Sequence, residues 1–312
     1  MVPPGSRQAL SSTPVPPAGG FGESTLGDIA ESERIRPPDL ATIFARRAAR
    51  LEALAPGHEL EGFLRLVASL VSAQHAALAR LPVGRLPGGA QSTDQAPLDP
   101  AVWPRDESWQ AALSSILAGV DVNLLPPAGQ AARSALAAAS PAEQEALADR
   151  FLGGAVARED AAKTIFVAAA LQVAWTRMAA LMDVSNLPPT ESGRCPVCDS
   201  SAIAGVIAPG GTKFGHRHLH CSLCATAWRF VRVRCVHCGS TDKISFRQLA
   251  GTSFVRAECC EACHGYSKVF YLESARVLEP LADDLASLGL DVLVGEEGFS
   301  RVANPFVLAS DR

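Results

Sequence analysis

Eight of the nine cysteines in this chain form four Cys-x-x-Cys pairs within one stretch of the sequence. The segments between successive pairs contain 22, 10 and 21 residues, an order that indicates one unit built twice. A Cys-x-x-Cys turn holds two sulfurs on the same side of a tight loop, so two such turns can surround one metal ion with four thiolates. The pairs are Cys195/Cys198, Cys221/Cys224, Cys235/Cys238 and Cys260/Cys263.

The spacing favours sequential sharing, in which neighbouring pairs hold the same ion. The first ion would be held by Cys195, Cys198, Cys221 and Cys224. The second ion would be held by Cys235, Cys238, Cys260 and Cys263. A cross-braced arrangement, with the first and third pairs on one ion, is the alternative. A tetrahedral all-sulfur site accepts iron or zinc, so spacing leaves the metal open.

Other uses of these residues are less consistent with the pattern. A disulfide redox site has one such pair in a βαβ context, and ferredoxin clusters have different spacing. Cys259 breaks the pair spacing and is predicted to be a buried or spare thiol rather than a ligand. Gly239 and Gly265 are expected to supply left-handed turn conformations. Nearby histidines are predicted to be surface or supporting groups, not ligands, namely His216, His218, His220 and His237.

Length and composition indicate a globular protein of about two domains. The N-terminus has no basic region followed by an apolar run, so we expect no secretory signal and a cytoplasmic location. In that reducing compartment, paired cysteines bind metal or act in catalysis rather than form disulfides. The most apolar stretch, 164–176, is too short to span a membrane, which needs about 20 apolar residues. It is predicted to be a buried core helix, and no membrane insertion is expected.

The first two thirds of the chain are rich in Ala and poor in aromatics, which favours helices. Residues 1–38 are rich in Pro, Gly and Ser and are predicted to be a disordered tail. Residues 39–186 are predicted to form an all-α domain with a long loop at 81–104. Its helices are expected near 40–55, 59–80, 106–118, 128–138 and 159–182, with a further one starting after Ser140. There Ser140, Pro141 and Glu143 form a helix-start signature.

The pattern changes after Arg194 to short alternating runs that indicate strands, at 228–234, 253–257 and 266–272. We predict one four-cysteine ribbon module at 187–228 and a second at 229–273. Residues 274–312 are expected to form a C-terminal helix from Glu279 and an extended tail containing Pro305. The predicted fold class is therefore α+β, with an all-α domain followed by two tandem rubredoxin-like or zinc-ribbon modules and a C-terminal helix.

Nucleic-acid binding and catalysis are weakly supported. The formal net charge is −4, and the basic residues around the cysteines are offset in part by the negative charge of metal–thiolate centres. No phosphate-binding loop or nucleophile elbow is present. The adjacent Asp283 and Asp284 point in different directions on a helix and are predicted to be surface residues. A metal held by four thiolates has no open position for a substrate.

The motifs around the cysteines resemble the formate dehydrogenase accessory family of FdhE type. The central signature is Leu219–Trp228 (LHCSLCATAW), preceded by Arg194–Cys198 (RCPVC) and followed by Arg256–Cys263 (RAECCEAC). Further matching segments are Leu171–Trp175, Val231–Cys235, Tyr266, Ala282–Leu288, Glu297–Phe299 and Asn304–Pro305. The resemblance covers about residues 160–306 with specific motifs.

This resemblance implies a cytoplasmic, non-enzymatic assembly factor. Such proteins are needed for the assembly or activity of respiratory formate dehydrogenases and are thought to bind the catalytic subunit before export. The family fold has an N-terminal helical domain and two rubredoxin-like modules, with iron associated with the cysteines and the position of Cys259 typically not a ligand. The alternatives are a rubredoxin-like redox protein in enzyme maturation and a ribbon-type nucleic-acid binder.

Overall fold

The computed structural model describes residues 10–13, 34–82, 86, 96–188, 190–208, 216–274 and 277–301. Within these ranges a helical domain is followed by a sheet with two four-cysteine clusters, and then by two short helices. The predicted α+β class is therefore confirmed. The predicted extended tail, including Pro305, and half of the 81–104 loop lie outside the described residues.

The helical domain contains six α-helices at the places where apolar periodicity predicts them. They are α1 (Ile43–Leu54), α2 (Glu61–Arg80), α3 (Ser108–Gly119), α4 (Pro127–Ala138), α5 (Pro141–Leu152) and α6 (Ala161–Ala179). The helix start at Ser140 is confirmed as a capping box. The Ser140 hydroxyl accepts from the Glu143 amide at 3.3 Å, and the Glu143 carboxylate accepts from the Ser140 amide at 2.7 Å.

Helix α6 is the central helix of this domain, because it is buried over nearly its whole length. The predicted core helix at 164–176 lies within it. Two of its polar side chains bond to neighbouring segments of the chain. The Gln172 amide donates to the carbonyl of Ser222 at 2.7 Å, and the Trp175 indole donates to the carbonyl of Leu98 at 2.8 Å. Helix α6 therefore fixes the loop that carries Cys221 and Cys224.

Helix α2 is the one described helix that is long and apolar enough to cross a membrane, judged by length and composition alone. It packs against α1, α3 and α6. Helices in the core of a globular domain meet the same length and composition criteria, so this property is explained by packing inside the domain.

The strands of the two ribbons are joined in one sheet. The first contributes β3 (Ala202–Ile207), β4 (Arg217–Cys221) and β5 (Ala227–Phe230), and the second contributes β6 (Ile244–Leu249), β7 (Val255–Cys260) and β8 (Tyr266–Tyr271). Each trio is antiparallel, and β3 pairs in parallel with β8 to join them. The predicted strand at 228–234 ends at Phe230, because the chain bends towards the third cysteine pair.

Two short strands come from the segment 1–38 that composition predicts to be disordered. Strand β1 (Leu10–Thr13) pairs antiparallel with β6, and β2 (Ile35–Arg36) pairs antiparallel with β5. They form the two edges of an eight-stranded sheet in the order β1-β6-β7-β8-β3-β4-β5-β2. Backbone pairing to an existing sheet edge does not depend on side-chain periodicity, which explains why the sequence pattern missed these strands. The remainder of 1–33 lies outside the described residues.

The C-terminal part forms α7 (Pro280–Ala286) and α8 (Leu288–Glu296), with a break at Ser287. The prediction that Asp283 and Asp284 are surface residues is wrong, since they are 1% and 0% exposed. Arg50 donates three hydrogen bonds to Asp283, and Arg301 pairs with Asp284 at 2.6 Å. Oppositely charged partners from α1 and from the segment after α8 make this burial possible.

Candidate metal centres

The first four-cysteine cluster lies where the helical domain meets the sheet. Cys195 and Cys198 are in the turn before β3, Cys221 is the last residue of β4, and Cys224 is in the turn that follows it. The Cys195 and Cys224 sulfurs are 3.6 Å apart, and the Cys198 and Cys221 sulfurs are 3.4 Å apart. All four side chains are buried, in the same apolar core that contains residues of α6.

The second cluster repeats this arrangement at the other half of the sheet. Cys235 and Cys238 precede β6, and Cys260 and Cys263 are at the end of β7 and in the turn that follows it. The Cys235–Cys263 sulfur distance is 3.6 Å, and the Cys238–Cys260 distance is 3.7 Å. This cluster has its own small core, formed by Cys235, Cys260 and Ile244 with Phe246 against them.

The grouping of the cysteines is sequential, because the sulfurs of pairs one and two lie within 4.8 Å of one another, as do those of pairs three and four. No described cluster combines pairs one and three. A tetrahedron with metal–sulfur bonds of about 2.3 Å has sulfurs about 3.8 Å apart, whereas a disulfide bond is about 2.05 Å long. The measured sulfur distances therefore fit four ligands around one ion and do not fit disulfides.

All four turns share one backbone geometry. The residue after the second cysteine of each pair has a positive φ, at Asp199 (52°), Ala225 (59°), Gly239 (74°) and His264 (55°). The left-handed turn prediction is thus correct for Gly239 and wrong for Gly265, where His264 adopts that conformation instead. Backbone amides of the turns point at sulfur, as in the bonds from Leu223 and Cys224 to Cys221 at 3.4 Å. Such amide donors stabilise thiolates.

Gly265 is required for a different reason, which is close packing. A Cβ at this position would lie 2.7 Å from the His237 ring and 3.2 Å from the Cys263 sulfur. The His237 ring is itself fixed, because its Nε2 lies 2.9 Å from the carbonyl oxygen of Tyr266. Glycine therefore lets the fourth turn pack against the third.

Three family models match the chain in succession and cover almost all of it from residue 32. The model described as FdhE, N-terminal, matches residues 32–191, the FdhE central domain matches 194–232, and the FdhE C-terminal domain matches 233–308. The chain belongs to the FdhE family. This is a family of formate dehydrogenase accessory proteins, as the sequence motifs indicated.

Relatives of FdhE type are similar over most of their length. The FdhE homolog of Proteus mirabilis is 35% identical over 88% of this chain and 91% of that protein. The homolog of Pseudomonas aeruginosa is 38% identical over 86% of this chain and 90% of that protein. The crystal structure of the FdhE protein from Pseudomonas aeruginosa superposes with a TM-score of 0.78 at 35% identity, covering 88% of this chain and 98% of that one.

Electrostatics of the first cluster favours a bound cation. Burial raises the pKa of the Cys195 and Cys221 thiols well above the usual value. Burial acts the same way on Cys224, but hydrogen bonds from the other three thiols outweigh it and lower the pKa of Cys224. The four sulfurs therefore cannot all be thiolates in the buried cluster unless a metal ion supplies the compensating positive charge.

The second cluster of this FdhE-family chain differs from the first in solvent access. Cys235 and Cys260 are buried, whereas Cys238 and Cys263 are exposed. Burial raises the pKa of Cys235 to about 12, while a backbone hydrogen bond from Ser240 lowers the pKa of the exposed Cys238. One face of this centre is therefore open to solvent and to partners.

The residues predicted not to be ligands lie outside both clusters, which contain cysteines alone. Cys259 is fully buried on β7, and burial raises its thiol pKa to about 12. His237 supports the second centre, since its amide lies 3.4 Å from the Cys235 sulfur. Of the histidines predicted to be surface or supporting groups, His218 is not at the surface, since it is 3% exposed on β4.

A buried ion pair that the sequence did not reveal joins the two ribbons. Arg217 on β4 donates to Glu258 on β7 at 3.0 Å, and the two side chains are 0% and 3% exposed. Gly205 leaves room for this arginine, because a Cβ there would lie 2.8 Å from its Nε. No spacing rule links two charges 41 residues apart, so only the fold reveals the pair.

Proposed function

We propose that the two clusters bind one metal ion each, iron or zinc, with all eight paired cysteines as ligands. The fit of the sulfur separations to a four-thiolate tetrahedron supports this assignment. Bound metal would cross-link each pair of turns, which small ribbons need because they bury little apolar surface of their own.

We further propose that this protein is a cytoplasmic, non-enzymatic accessory factor for maturation of a respiratory formate dehydrogenase. Its partner would be the catalytic subunit of that enzyme, bound before export. The observation that carries the proposal is the match to the FdhE family along the chain from residue 32. Four protein thiolates leave a metal no position for substrate, which supports a role in binding and assembly.

A deletion strain tests the accessory role. We expect formate dehydrogenase activity to be lost and to be restored by the wild-type gene. The tagged protein should also recover the catalytic subunit from cytoplasmic extract. Undiminished enzyme activity in the deletion strain, together with no recovery of the subunit, would contradict the proposal.

The exposed half of the second centre favours one further candidate function, electron transfer in enzyme maturation. The exposed sulfurs of Cys238 and Cys263 would give a partner a short path to iron held there. A reversible one-electron colour change of the iron-loaded protein is the expected result. Stoichiometric zinc in protein purified from its native cells would argue against this function.

A further inference from the structure

A groove lined by basic residues runs beside β5. In the sequence, β5 lies between the second and third cysteine pairs. Its cavity has a volume of about 490 Å³, within the range of peptide-sized and ligand-sized pockets. We call it the β5 groove. The residues that define it here are Arg34, Ile35, His216, Arg229, Val231 and Arg232.

Two arginines of the groove carry positive charge that no described carboxylate neutralises. Arg229 and Arg232 are exposed, and no described carboxylate lies within salt-bridge distance of either. The pKa of the neighbouring His216 is lowered, mainly by burial and in addition by the positive charge of Arg229. The exposed guanidinium groups of Arg229 and Arg232 at one cavity favour an anionic partner.

The groove also offers exposed apolar surface beside the end of β5. Val231 is 51% exposed and the nearby Val233 is 42% exposed, which is unusual for large aliphatic residues. The Arg229 amide donates to the carbonyl of Arg34 at 2.8 Å, where the β2 segment covers the edge of β5.

These features fit a peptide better than a nucleic acid. The alternate side chains of an extended peptide can contact charged and apolar groups in turn. Single-stranded nucleic acid needs exposed aromatic rings for base stacking. The aromatic residues here, Trp228 and Phe230, are buried, and the net charge of the chain is −4.

We propose that the β5 groove binds an extended, acidic segment of a client protein, with Arg229 and Arg232 pairing to its carboxylates and Val231 contacting its apolar side chains. The inference rests on the proposed accessory function only in assigning the segment to a client. The chemistry that the groove recognises is a carboxylate-rich peptide with interspersed apolar residues.

Peptide binding to the full-length, metal-loaded protein tests the proposal. The probe is a fluorescent peptide of alternating Glu and Val, compared with its Gln/Val counterpart and with a single-stranded RNA oligonucleotide. We expect the Glu peptide to bind at least about tenfold more tightly than either. The variant Arg229→Glu/Arg232→Glu should weaken Glu-peptide binding by at least about tenfold, and raised salt should weaken it as well.

The matched control is Arg80→Glu, a charge reversal at an exposed end of α2 outside the groove, which should leave binding unchanged. Metal content and thermal unfolding show whether a variant is folded, and Arg229→Gln/Arg232→Gln replaces the double reversal if it is not. Equal binding of the Gln peptide, unchanged binding by the groove variants, or tighter binding of RNA would overturn the proposal. A deletion strain with normal formate dehydrogenase would contradict the accessory role but leave these peptide results standing.

Discussion

At the scale of single residues, the two centres differ in how well their ligands are shielded. The four sulfurs of the first centre are buried, whereas Cys238 and Cys263 of the second are exposed. A chelator removes metal by replacing ligands one at a time, so ligand access controls the rate of release. The structural difference therefore has a direct kinetic consequence.

We predict that a competing chelator removes the metal in two phases of about one equivalent each, with the second centre emptying first. A colorimetric chelator measures the release directly. In the variant Cys238→Ser/Cys263→Ser, the fast phase should be absent while the slow phase remains. Release of both ions in a single phase from the wild-type protein would show that exposure does not control access.

Gly265 gives a second prediction at this scale. Gly265→Ala would press a methyl group against His237 and Cys263, at a cost of about 1–3 kcal/mol in the free energy of unfolding. We expect faster metal loss from the second centre and unchanged loss from the first, measured by chelator competition. The control is Gly289→Ala on α8, where a Cβ meets nothing within 4 Å. Equal behaviour of the two variants would contradict the packing argument.

At the scale of secondary-structure elements, the buried pair between β4 and β7 holds the ribbons together. Arg217→Met would leave Glu258 buried without its partner, which typically costs about 3–5 kcal/mol. Chemical denaturation should show this loss, and Arg217→Met/Glu258→Leu should recover part of it. The comparison variant is Arg65→Met, which breaks the exposed pair with Glu61 and should cost about 0–1 kcal/mol.

An unfolding free energy for Arg217→Met no lower than that for Arg65→Met would show that the buried pair does not stabilise the joined sheet. A loss of unfolding free energy in the double variant that equals or exceeds the sum of the two single-variant losses would also argue against a mutual pairing. These outcomes separate the ion pair from the general effect of removing an arginine.

The sequence predicted local elements well and contacts between distant elements poorly. Six helices and the Ser140 capping box follow from periodicity and capping chemistry, which act within one or two turns. The strands at 10–13 and 35–36, the parallel pairing of β3 with β8 and the burial of Asp283 depend on partners far away in sequence. For the metal centres, pair spacing predicted the sequential clusters, but only the fold shows which sulfurs are exposed.

At the scale of the whole molecule, one apolar core runs from the helical domain into both ribbons. The first centre lies in that core, and the second has a small core of its own nearer the surface. We interpret the first as a structural link between domain and sheet, and the second as the centre available to partners. The β5 groove adds a candidate peptide surface beside the first ribbon.

The organisation of the molecule depends on two independent centres, each built from neighbouring cysteine pairs. Metal content per chain, measured by mass spectrometry on folded variants, tests this claim directly. The wild-type protein and Cys259→Ser should each bind about two ions per chain. Cys195→Ser/Cys221→Ser removes one ligand from each of the first two pairs. This variant should retain about one ion per chain, because both replaced cysteines belong to the same centre. Complete loss of metal from the folded variant would contradict the sequential arrangement.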